Sequence, residues 1–339
     1  MSHAPLITVG IASYNYARFL PRAFEALRRQ SFNDFEVLYC DDGSTDDSVA
    51  MIHRFIAENP CMDIRLVQGE NLGVMGNKNR ILDHARGEYV MLCDADDWMD
   101  DGCLARLAEA THTCPDRVIA GFRNVVESGG KLTVAQVEGL PAHPSKWNQF
   151  QHHGCLYRLA VCREHGIRFR SDRYPDDFDF VERFNLYCGD VAFVPEVLYN
   201  FYHDGSSASS TQNPSSRWYY LNLFAEITRL TGELLPRLDR QEDAWQLEAT
   251  VMRIFFADVF ATCSVDEYRR LSALLCGVMP DCWHNPLLYD ARRTPYRPET
   301  FRRARMLALL GRAGLLGTVA ALWRALHHNS LHDRKGDVL

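Results

Sequence analysis

Three short acidic clusters are the stretches of this chain best suited to chemistry: Asp41-Asp42, Asp94-Ala95-Asp96-Asp97 and Asp176-Asp177-Phe-Asp179. The middle one ends Tyr89-Val-Met-Leu-Cys93, five residues with the character of a buried strand. Carboxylates that close repel one another unless a cation sits among them, so a divalent metal is the natural third party. Magnesium or manganese needs only one or two protein carboxylates and completes its shell, at about 2.1 Å, with water and phosphate oxygens. The alternative is a solvated loop that caps a helix starting near Asp100-Asp-Gly-Cys-Leu. The third cluster precedes an amphipathic stretch. It reads equally as an N-terminal helix cap, favoured by the helix dipole, and as a general base ionised at neutral pH.

The elements that must carry these groups alternate regularly. Leu6-Ile-Thr-Val-Gly-Ile11 reads as a buried strand, and Phe19, Ala23, Phe24 and Leu27 fall at helical spacing. Phe35-Glu-Val-Leu-Tyr-Cys40 is a second strand, running into Asp41-Asp42-Gly43-Ser44-Thr45. Ser44 or Thr45 is expected to cap the next helix, with Val49, Ile52 and Ile56 on its inner face. A strand at 64–67 and a helix at about 74–86 lead to the strand at 89–93. This β-α-β-α-β-α-β order predicts an α/β fold with a mostly parallel central sheet and helices on both faces. The acidic ends at 41–42 and 94–97 are then expected on neighbouring strands, meeting at one crevice of the carboxyl edge.

Further on, 100–113 reads as helix, 117–122 as strand, and Ser128-Gly-Gly130 as a hairpin turn. Helices are expected near 156–165 and 177–188, and strands at 191–194 and 197–202. A polar run after His203 marks the expected boundary between a catalytic domain, 1–205, and a C-terminal helical region, 206–339.

Several function classes are excluded by what is missing. No Gly-x-Gly-x-x-Gly follows the first strand and no phosphate-loop pattern occurs. The calcium-loop template fails because Trp98 and Met99 stand at its fifth and sixth positions. The net charge is −7, and residues from Ala291 onward hold ten Lys/Arg against three Asp/Glu, leaving −14 on residues 1–290. So acidic a body argues against nucleic acid as a partner. The 11 Cys form no C-x-x-C pair, and no signal peptide is evident, so a cytoplasmic location is expected. The tail from Arg302 to Leu326 is apolar with interspersed arginines, too interrupted for the roughly 20 apolar residues of a membrane span. It suits peripheral contact with a membrane surface, a homodimer contact or packing on the body.

Taken together, Ala12-Ser-Tyr-Asn15, Asp41-Asp-Gly-Ser-Thr-Asp46, Asn71-Leu-Gly-Val74, Ala85-Arg-Gly-Glu-Tyr89 and Asp94-Ala-Asp-Asp-Trp98 resemble the family 2 glycosyltransferases over about residues 5–205. The resemblance implies the GT-A nucleotide-diphosphosugar transferase fold, an inverting mechanism and Mn²⁺ or Mg²⁺. It implies a nucleotide-sugar donor, a UDP-sugar first, held by Ala12, Tyr14, Asp41 or Asp42, Asn71, Lys78, Asp94 and Ala95. It puts the metal on Asp96 and Asp94 with His203, makes Asp177 the base, and gives Asp176 the orienting of the acceptor.

Departures from the family pattern are Ala12 for a common Pro, Asp176 for Glu, and a shortened segment before His203. The acceptor implied is a glycan or lipid-linked hydroxyl in surface polysaccharide biosynthesis. Two competing readings are a catalytically inactive nucleotide-sugar-binding scaffold and a sugar-nucleotide pyrophosphorylase, which would want a Gly-rich phosphate loop. Trp147, His152 and His153 fall where this fold shapes its acceptor side; a core role for Trp147 is the simpler expectation.

Overall fold

The computed structural model describes residues 4–141, 144–149, 151–170, 177–203, 217–256, 264–290, 298–315 and 318. The chain divides into two compact units, Met1–Leu140 with Gln149–Ser210, and Pro141–Asn148 with Thr211–Leu339.

The first unit opens with β1 (Ile7–Ser13), α1 (Leu20–Arg28), β2 (Phe35–Asp41), α2 (Ser48–Glu58), β3 (Asp63–Gln68), α3 (Gly73–His84) and β4 (Tyr89–Asp94). Every residue of β1 is buried, as a central strand covered on both faces requires, and its sequence is accordingly a near-continuous apolar run. These four strands are parallel, in the order β3-β2-β1-β4. The acidic ends of β2 and β4 are therefore not on neighbouring strands. Both flank β1, because the chain winds outward from β1 through β2 and β3 and then crosses back to its other side. Such a reversal opens a crevice at the carboxyl edge. Register fixes what faces it: Ser13 is opposite Asp41 and Ala12 opposite Asp94.

Beyond β4 come β5 (Trp98–Met99), α4 (Cys103–Glu109), the hairpin β6 (Arg117–Ser128) and β7 (Lys131–Glu138), β8 (Cys155–Arg158), α5 (Leu159–Glu164), α6 (Asp177–Tyr187) and β9 (Val191–His203). They extend the sheet as β8-β6-β9-β5, with β7 pairing the later half of β6, Phe122–Ser128, beyond the end of β8. Here β6 and β9 are parallel, while β4–β8, β6–β8, β6–β7 and β5–β9 are antiparallel. Three local expectations change. Residues 155–158 form a strand that passes without a breaker into a short helix. The two strands expected at 191–194 and 197–202 are one, kept continuous through Pro195 by register shifts around Gly121. Finally, α2 starts at Ser48 after Asp47, because the hydroxyls of Ser44 and Thr45 bond Asp41 and Asn15 instead of capping a helix.

Two close packings set the frame of the site. A Cβ on Gly10 would lie 2.2 Å from Ile81 Cγ2, so glycine is what lets α3 lie close on β1. At the amino edge, Glu36 is wholly buried and bonds Thr8 Oγ1 at 2.7 Å, Arg65 at 2.8 Å and the Arg86 backbone N–H at 2.7 Å. Burial alone would raise the Glu36 carboxyl; those bonds outweigh it and hold it below the usual range.

The second unit contains α7 (Arg217–Leu234), α8 (Gln241–Ile254), α9 (Val265–Val278) and α10 (Pro298–Arg312). Helical spacing places Phe224, Ile227, Leu247, Val251, Leu271 and Leu275 in its core. Ser264 starts α9 with a reciprocal capping box to Glu267. Trp147 is fully buried in this unit, its Nε1 donating to Asp243 at 2.9 Å, so it is a core residue. Among the described residues no helix is long and apolar enough to cross a membrane. The expected apolar tail beyond Leu315 lies largely outside the described residues.

Candidate active site

The carboxyl edge of β1 opens into a cleft of about 550 Å³. Ala12, Tyr14, Asn15, Asp42, Asn71, Asp94 and Asp96 are among the residues lining it. Its near wall is two loops tied together. Asn15, in a left-handed conformation, accepts from the Thr45 backbone N–H at 2.7 Å, and its own N–H donates to Ser44 Oγ at 2.9 Å. Asp46 accepts from the Ala17 N–H at 3.0 Å. Asp41 turns into its own loop and accepts from the N–H groups of Gly43 and Ser44, so of the adjacent pair it is Asp42 that faces the cleft. Asp42 accepts from the Leu72 N–H at 2.9 Å and from Arg80 at 3.2 Å. Arg80 also reaches Asn77 Oδ1 at 2.8 Å, and Asn77 in turn donates to the Cys40 carbonyl. These two α3 residues fix the floor. Their signal in the sequence was an Asn-x-x-Arg pair on a helix face that is buried yet polar, which is rare unless every group is paired.

On the other side of β1, Asp94, Asp96 and Asp97 point to different tasks. Asp94 and Asp96 line the cleft. Asp97 faces inward and accepts from Tyr199 Oη and from the Tyr202 backbone N–H, each at 2.8 Å. Burial, followed by the charges of Asp96 and Asp94, pushes the Asp97 carboxyl well up. It anchors the loop to β9. Arg22 braces the same loop from α1: it donates to the Asp96 carbonyl at 2.7 Å and lies 4.1 Å over Trp98 and 4.3 Å over Tyr202. Sequence reasoning overlooked Arg22, Tyr199 and Tyr202, which meet this loop only through tertiary packing.

Asp177 begins α6, and its side chain is 25% exposed. Lys78 is buried and reaches Asp177 at 3.1 Å, Asp94 at 3.4 Å and His152 Nε2 at 3.3 Å. His152 Nδ1 stands 2.9 Å from the second Asp177 oxygen. Burial would raise the Asp177 carboxyl, but His152 and Lys78 outweigh it and hold it well below the usual range. Burial would likewise lower the Lys78 ammonium; Asp177 and Asp94 reverse this and push it up. Both groups are charged at neutral pH. Lys78, expected beside the nucleotide, thus bridges Asp94 to Asp177.

The remaining expected site residues are placed as follows. Ala95 is fully buried behind the cleft lining. Asp176 lies outside the described residues. His203 Nε2 is 2.9 Å from Asn124 Oδ1, and its ring packs edge-on against Phe201. Burial lowers its pKa.

For a cation, two donor sets offer themselves. Asp94, His152 and His153 bring ligand atoms within 4.8 Å of one another. The Lys78 ammonium already stands among them, however, and would repel a divalent ion at that range. Asp94 and Asp96 both line the cleft and offer the hard oxygen donors that Mg²⁺ or Mn²⁺ prefers, with Lys78 3.4 Å from one Asp94 oxygen.

A parallel β-α core with an acidic crevice at the β1/β4 reversal defines the GT-A class of nucleotide-sugar enzymes. Residues 8–171 match the model of glycosyl transferase family 2. The chain is 25% identical over 225 residues to glycosyltransferase GlyG of Streptococcus pneumoniae, covering 61% of this chain and 74% of that protein. It spans 60% or less of several other relatives it matches. Among solved structures it is similar to S. aureus TarS 1–349 in complex with UDP-GlcNAc, with TM-score 0.65, 17% identity and 94% of this chain and 91% of that chain covered. It is also similar to the Pyrobaculum calidifontis mannosyltransferase PcManGT in complex with GDP-Man and Mn²⁺, with TM-score 0.54, 14% identity and 97% and 89% covered. Residues 8–171 are therefore a glycosyl transferase family 2 region, and the chain has the GT-A fold.

Proposed function

We propose that the enzyme moves a sugar from a nucleoside-diphosphate donor, a UDP-sugar first, to a hydroxyl of a glycan or lipid-linked acceptor, with inversion, in surface polysaccharide synthesis. One observation carries this reading: Asp42, Asp94 and Asp96 share one cleft, and Lys78 joins Asp94 to Asp177. Asp42, fixed by Leu72 and Arg80, accepts from the base of the nucleotide, with Ala12, Tyr14 and Asn71 around the nucleoside. Asp94 and Asp96 hold the Mn²⁺ or Mg²⁺, which when bound offsets negative charge on the departing diphosphate. Asp177 takes the proton of the acceptor hydroxyl as that oxygen attacks the anomeric carbon opposite the leaving group. Because Asp177 is ionised throughout the neutral range, no rise in its pKa is needed for that role. Such a carboxylate is a weak base, so positioning must supply much of the acceleration.

The residues from 206 onward form the region proposed for contact with a membrane surface or a second copy, and the site of action proposed is cytoplasmic, peripheral to the membrane. The donor reading is tested by melting the protein with UDP-GlcNAc, UDP-glucose, UDP-galactose and GDP-mannose, with Mn²⁺ or with EDTA. A UDP-sugar is expected to raise Tm in Mn²⁺ alone; stabilisation by none, or equal stabilisation in EDTA, contradicts it.

A further inference from the structure

We propose that His152 is a positioning residue for the base, held in a single tautomer by Lys78. This rests on the reading of Asp177 as the base. An ammonium has three donors and no acceptor, so the His152 Nε2 that faces Lys78 Nζ at 3.3 Å must be the unprotonated nitrogen. The ring proton is therefore on Nδ1, the atom 2.9 Å from Asp177. Lys78 donates to one carboxylate oxygen and His152 Nδ1 stands beside the other, so Asp177 is approached from two directions and each oxygen keeps a lone pair. In this state Nδ1–H is close to its acceptor but poorly aligned with it. Catalytic hydrogen bonds commonly stay misaligned until substrate arrives. The ring itself has little freedom: His152 is 1% exposed and lies 4.3 Å from the His153 ring, which stacks 4.0 Å from Phe201. Among the described residues neither His153 ring nitrogen has a hydrogen-bond partner, and burial pushes its pKa well down, so it acts as an aromatic wedge behind His152.

Two near-isosteric variants separate this role from simple packing. The amide nitrogen of His152→Asn falls where Nδ1 stood and can still donate to Asp177. That of His152→Gln falls where Nε2 stood and cannot. Release of nucleoside diphosphate from UDP-GlcNAc, UDP-glucose, UDP-galactose and GDP-mannose in Mn²⁺ is followed for both, with Asp177→Asn alongside. The expected result is kcat within about threefold of wild type for His152→Asn and a fall of about 10–100-fold for His152→Gln, the usual effect of removing a supporting partner. Donor KM is expected to stay within about twofold for both variants. Equal kcat for the two variants, whether both high or both low, overturns the proposal. Full turnover by Asp177→Asn overturns instead the base assignment on which it rests.

Discussion

The two edges of the same sheet each bury acidic groups among basic ones, and they do so to opposite ends. At the amino edge, Glu36 is enclosed by Thr8, Arg65 and Arg86, and its oxygens bond all three. At the carboxyl edge, Lys78 is shared by Asp94 and Asp177, while Asp42 and Asp96 stand nearby on an open cleft. The first cluster is saturated and closed, so it stabilises. The second lines an open cleft, where its carboxylates can be reached from solvent. Burial of a carboxylate therefore does not mark function by itself; several carboxylates gathered beside one cleft are the stronger pointer.

Glu36→Gln should give the largest loss of stability, about 3 kcal/mol, the low end for breaking a buried pair because Arg65 and Arg86 are partly exposed. Donor turnover per folded molecule should be unchanged. The folded-state Glu36 carboxyl is held down, so its contribution is complete above the ordinary carboxylate pKa of about 4.3 and is lost as pH falls through the folded value. The gap in Tm between wild type and Glu36→Gln should thus be widest at neutral pH and close on acidification. A gap that grew in acid would contradict the assignment. At the other edge, Asp96→Ala should leave Tm nearly unaltered and weaken Mn²⁺-dependent donor binding at least about tenfold, or about 1.4 kcal/mol. The remaining affinity, read by calorimetry, should no longer respond to EDTA.

Much of the first unit was legible because its signals are local. Tyr89-Val-Met-Leu-Cys93 is apolar without alternation, as a strand buried on both faces must be, and it stops abruptly at Asp94. Asp42 and Asp96 were legible for the same reason, as charges placed at strand ends. Strand order was not, since nothing local says that β1 lies between β2 and β4. The strand at 155–158 was read as helix because Cys155-Leu-Tyr-Arg158 runs straight into α5 with no Gly or Pro between. Lys78, Asp177 and His152 come from three elements 25 to 99 residues apart in sequence, and only the packing of α3 on β1 through Gly10 brings the ammonium among them. The assignment of Lys78 to the nucleotide came from family resemblance; its position follows from tertiary contacts that spacing does not encode.

The proposed reaction requires Asp177 to serve as base at the same site that Asp42, Asp94 and Asp96 line. Its most direct test is the turnover and donor affinity of Asp177→Asn, measured with whichever sugar nucleotide stabilises the wild-type enzyme in Mn²⁺. The account predicts donor Kd within about twofold of wild type and kcat lower by about 10²–10⁴, the range for loss of a general base. Transfer at close to the wild-type rate would contradict it.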